Sequence, residues 1–69
     1  MAGTAPKAVL HGGPKDLAGS IVENPAPGED LKIPLRGGYE HFKPTSEKEE
    51  TPQGRLPVYE WWERTELPG

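Results

Sequence analysis

The chain has 69 residues, no cysteine and a formal net charge of −3, with 11 acidic against 8 basic side chains. Nine prolines and nine glycines are about a quarter of it, while Leu, Ile, Val and Phe supply only 12 residues, both at the lean edge for a folded chain. This composition excludes a disulfide staple, a thiolate metal site, a membrane span and a signal-peptide core, and leaves five aromatic side chains to build one small domain over residues 1–69.

Met1 to Lys7 reads as a frayed leader of small residues. Ala8-Val9-Leu10-His11 is the first predicted strand, closed by Gly12-Gly13-Pro14. Lys15 to Ser20 has room for one turn and no stable helix. Ile21-Val22-Glu23 is short and β-branched, a second strand, and Asn24 to Asp30 is linker by composition. Leu31, Ile33 and Leu35 alternate with Lys32, Pro34 and Arg36, the period of a strand with one apolar face. Pro34 has no N–H to donate, which predicts that its strand lies at a sheet edge or carries a bulge there. Gly37-Gly38 then reads as the turn of a hairpin whose second arm is Tyr39 to Lys43. A two-residue loop sets Arg36 opposite Tyr39 and Ile33 opposite Phe42, but also Leu35 against Glu40, a poor pair that leaves a longer loop or a bulge open.

Residues 45–54 (TSEKEETPQG) are polar and hold Pro52 and Gly54, which predicts a solvated loop. Arg55 to Glu66 is the longest β-favouring segment. Strict alternation puts Leu56, Val58, Glu60 and Trp62 on one side and Tyr59, Trp61, Glu63 and Thr65 on the other. Both sides carry large apolar groups, the mark of a central strand. Leu67 to Gly69 reads as a frayed tail. The composite is an all-β protein, a small antiparallel meander of three to five strands without substantial helix.

Three blocks carry a resemblance: Leu10-His11-Gly12-Gly13-Pro14, Tyr39-Glu40-His41-Phe42-Lys43-Pro44-Thr45, and Leu56-Pro57-Val58-Tyr59-Glu60-Trp61 with Arg64-Thr65. In this order they resemble a family of short actinobacterial proteins known only as a domain of unknown function. His11 stands where that family is expected to carry Arg, and Trp62 where it is expected to carry a small polar residue. The resemblance implies no reaction. It implies a cytoplasmic protein, with a role as an accessory in specialised-metabolite biosynthesis.

The residues themselves offer few chemical constellations. His11 before two glycines has no Gly-x-Ser-x-Gly partner motif, so hydrolase chemistry has no nucleophile. The two histidines are thirty residues apart, without metal-ligand spacing, and no cofactor motif is present. Glu40 and Glu60 are candidates to meet across strands as acid and base, against a simpler reading as solvated acids. The basic residues are scattered through an acidic chain, which argues against nucleic acid. What remains is aromatic surface. Tyr39, His41, Tyr59, Trp61, Trp62 and Arg64 are the candidate binding residues, with Arg64 placed to stack on Trp62 or pair with an acid of a partner. One reading makes the rings a mini-core; the other leaves one aromatic face to receive a protein partner or a second copy of the chain. The expectation is a non-catalytic interaction module. The alternatives are a small-molecule binder or minor enzyme with a Tyr39/His41/Trp61 groove, and a carrier or scaffold peptide.

Overall fold

The computed structural model of the chain describes residues 6–67. Every regular element in it is a strand: β1 (Lys7–His11), β2 (Ile21–Glu23), β3 (Leu31–Leu35), β4 (Gly38–Thr51) and β5 (Gly54–Glu66). They form one sheet in the order β2-β1-β5-β4-β3. The all-β expectation holds, but the sheet is mixed and not a meander, because β1 runs parallel to β5 while all other neighbours are antiparallel. Val9 stands beside Val58 and Leu10 beside Tyr59, so the two ends of the chain share the centre of the sheet. Pro34 lies on an edge strand and β5 is central, as the sequence indicates.

This order makes the segment between β2 and β3 more than a linker. It leaves one edge of the sheet and must arrive at the other, four interstrand spacings away, about 19 Å. Seven residues reach about 24 Å when extended, enough for Asn24 to Asp30 to cross the sheet as a strap that still holds one turn at Pro27-Gly28, closed by the Glu29 amide on the Ala26 carbonyl. It is tied down from below at its start and at its turn: the Tyr59 hydroxyl accepts hydrogen bonds from Asn24 Nδ2 at 2.9 Å and from the Gly28 amide at 3.0 Å. Under the strap lies the core of Ala8, Leu10, Leu31, Phe42 and Tyr59, flanked by Leu17, Val22, Ile33 and Trp61. Leu17 comes from the predicted turn at Lys15 to Ser20, which is present and starts at the Pro14 carbonyl.

Four local expectations change. The β3–β4 turn is Arg36-Gly37, both at positive φ (50° and 77°), so Leu35 pairs with Gly38, Ile33 with Glu40 and Leu31 with Phe42. Gly38 is a strand residue, paired with Leu35 and Glu66, and the position demands glycine because a Cβ there would come within 2.6 Å of the Thr65 carbonyl oxygen; the glycine pair therefore serves the turn and the strand contact separately. Residues 45–54 are not a loop. Nearly all of them continue β4 and begin β5, leaving only Pro52-Gln53 between the arms. Their polarity reflects a solvated hairpin rather than missing structure. Pro6 and Lys7 are ordered, the former accepting the Asn24 amide, and the Leu67 amide donates to Gly37, so neither is frayed. The expectations for 1–5 and 68–69 lie outside the described residues.

Two irregularities shape the long hairpin. Between His41/Phe42 and Glu63/Trp61 one extra residue, Trp62, enters β5. Between Pro44 and Lys48 two extra residues enter β4, where Thr45 Oγ1 donates to the Val58 carbonyl and accepts the Glu47 amide. Bulges bend the strand that carries them. The outer half of the hairpin curls back over the sheet far enough for His11 Nε2 to lie 2.7 Å from Glu49 Oε1, and Val9 and Val58, which face away from the main core, are buried with it.

Candidate functional site

The Trp62 bulge decides where the aromatic side chains go. Strict alternation along β5 puts Trp61 and Glu63 on the same face. The extra residue resets the phase, so Arg64 returns to the face of Tyr59 and Trp61 while Trp62 and Glu63 both turn outward. The candidate residues therefore separate into two groups.

On the inner face Tyr59 is 1% exposed and Phe42 fully buried. Trp61 pairs across from Phe42, and its Nε1–H donates to Glu40 Oε1 at 2.7 Å. The Gly12-Gly13 segment lies on its ring: a Cβ at Gly13, itself at φ 78°, would sit 2.8 Å from Trp61 Cδ1. Arg64 donates to Glu40 Oε2, to Glu66, and to the carbonyls of Leu35 and Arg36 in the β3–β4 turn. Glu40 is only 3% exposed. Burial pushes its carboxyl upward, but the hydrogen bonds from Arg64 and Trp61 and the Arg64 charge outweigh that, and it is held below its ordinary value. Hydrogen bonds to Glu66 and Glu40 in turn hold the guanidinium firmly charged. Arg64 is therefore neither stacked on Trp62 nor free for a partner's acid, contrary to the sequence expectation. Glu40 and Glu60 do not meet either, since Glu40 pairs with Arg64 and Glu60 lies opposite Lys43.

On the outer face Trp62 is 43% exposed. Its ring meets His41 edge-on, with centroids 5.9 Å apart and an interplanar angle of 63°. His41 Nε2 shares a hydrogen bond of 2.8 Å with Thr65 Oγ1, which fixes the imidazole against β5. Tyr39, half-buried, occupies the register position beside Thr65. Tyr39, His41 and Trp62 therefore share a face, whereas Trp61 lies on the other side of the sheet, and a Tyr39/His41/Trp61 groove is not assembled.

The sequence reading missed two features. The buried Glu40–Arg64 ion pair is one; alternation with Phe42 marks Glu40 as inward, but the bulge hides Arg64 as its partner. The second is a recess of about 220 Å³ beneath the curled hairpin, lined by His11, Thr45, Ser46, Glu47, Val58 and Glu60. It could not be found from a segment read as a loop. Its walls are mostly polar, and His11 is engaged by Glu49 at its rim.

Among the described residues no helix is long and apolar enough to cross a membrane. No curated protein and no solved structure matches the chain. A family does: over residues 2–69 the sequence matches the Family of unknown function (DUF5988), and the chain belongs to that family.

Proposed function

We propose that the chain is a non-catalytic interaction module that docks through the outer face of β4 and β5, with Trp62 at its centre. The observation that carries this reading is the different treatment of the two adjacent tryptophans. Trp61 is packed under Gly13 and hydrogen-bonded to Glu40, whereas Trp62 is inserted by a bulge and left in water with His41 fixed against its edge. A half-exposed Trp on a rigid strand loses little conformational entropy on binding and offers a large contact area, the properties of interface anchors. An accessory role in actinobacterial specialised-metabolite biosynthesis and a cytoplasmic location belong to the same proposal; family resemblance alone supports them.

The test places a photo-crosslinking amino acid at position 62, and separately at the exposed Glu23 on the far edge, in cells that express the protein natively. The expected result is a discrete adduct from position 62 and none from position 23. Equal labelling from both positions, or none from 62, contradicts the reading.

A further inference from the structure

We propose that the outer face is the interface of a symmetric dimer of this chain; this rests on the docking reading above and names its partner. The face carries charge in two halves. Lys32 on β3 and Lys43 on β4 lie on one side, and Glu60 and Glu63 on β5 lie on the other, in rows fixed by the pairs Lys32–His41–Glu63 and Lys43–Glu60. Among the described residues none of these four side chains makes an ion pair within the chain, while His11, Arg36, Arg55 and Arg64 all do. Trp62 and His41 sit between the halves.

That arrangement is complementary to itself. A two-fold axis parallel to β4 and β5 and midway between them lays β4 of a second copy over β5, and β5 over β4. Lys43 then faces Glu60 of the second copy, the reverse pair forms by symmetry, and Trp62 of each chain covers His41 of the other. Two sheets packed in this way run nearly parallel at about 10 Å, the usual sandwich arrangement. The edges offer less. β3 carries Pro34, and β2 has three residues. The curled hairpin, closed by His11 and Glu49, bounds the face on the β1 side. A stable interface uses about 800 Å² per partner, roughly one sixth of this chain's 4701 Å² surface. Three strands supply less than that, so the dimer is weak and its population follows concentration.

Sedimentation equilibrium on the full chain tests this. The wild-type mass should rise from 7.5 kDa toward twice that value between about 10 μM and about 1 mM. Lys43→Glu and Glu60→Lys should each weaken association at least about tenfold by opposing like charges. An equimolar mixture of the two variants should restore it, because each like-charged face then meets its opposite. Trp62→Ser should abolish it, with the melting curve of the dilute chain retained in all three variants. A wild-type monomer at the highest concentration overturns the proposal, as does a dimer indifferent to all three substitutions. If a monomeric wild-type chain still gives a position-62 adduct to a different protein, self-association is refuted and the docking reading stands.

Discussion

The two faces of β5 use the same kinds of side chain to opposite ends. Inward, Tyr59, Trp61 and Arg64 have their polar atoms taken up by the strap, by Glu40 and by the β3–β4 turn. Outward, among the described residues, Glu60 and Glu63 make no ion pair, and Trp62 is 43% exposed with its ring against the His41 edge. Aromatic content alone is therefore a poor guide to where a small protein is open for contact. What separates the faces is whether each ring's surroundings are completed within the chain. Here a strap of seven residues completes one face and a bulge exposes the other.

The comparison breaks most visibly if an inner residue is removed. Phe42→Ala should destabilise by about 3–5 kcal/mol, which for a chain this small means loss of the folded state by circular dichroism and of dispersed amide resonances. Acid should act next. Glu40 and Glu66 are both held below the ordinary value of 4.5 in the folded chain, Glu66 mainly by its hydrogen bond from Arg64. The unfolded chain therefore binds more protons as pH falls. The stabilisation is complete above the ordinary carboxylate pKa and is lost as pH drops through the lowered values. Melting temperature should be flat near neutrality and fall in acid, and Glu40→Gln should lower the neutral value while flattening the acid limb. Tyr59→Phe leaves Asn24 Nδ2 and the Gly28 amide without their acceptor and should cost about 1–3 kcal/mol in denaturant melts, with faster amide exchange at Gly28. The outer face supplies the smallest effect. Trp62→Ser in the dilute chain should cost about 1 kcal/mol or less, since the ring is 43% exposed and lies outside the core cluster.

The strands legible in the sequence were those whose signal is local. Leu31, Ile33 and Leu35 alternate, Pro34 marks an edge, and the aromatic mass of residues 55–66 marks the centre; all of these hold. What was not legible depends on distant partners. The parallel pairing of Val9 with Val58 joins residues almost fifty positions apart and leaves no mark in either segment. The strap looks like any Pro/Gly-rich linker until the strand order requires it to cross the sheet. The hairpin arms at 45–54 are polar because their partners are each other, as Arg55 with Glu50 shows, so no apolar periodicity reports them. For the site, His41, Tyr39 and Trp62 were within reach. Arg64 was misassigned by one phase because a single inserted residue reverses every side chain beyond it.

One spectrum bears most directly on the central claim that the chain is closed on its inner face and open on its outer one. In a ¹H–¹⁵N dilution series of the uniformly labelled protein, the account predicts two distinct indole resonances. The Trp61 Nε1–H, bound to Glu40, should stay fixed and resist exchange with deuterium. The Trp62 indole should exchange rapidly when dilute and move on concentration together with the amides of His41, Lys43 and Glu60. A Trp62 indole protected in the dilute chain, or shifts that gather on Tyr59 and Trp61 instead, would contradict it.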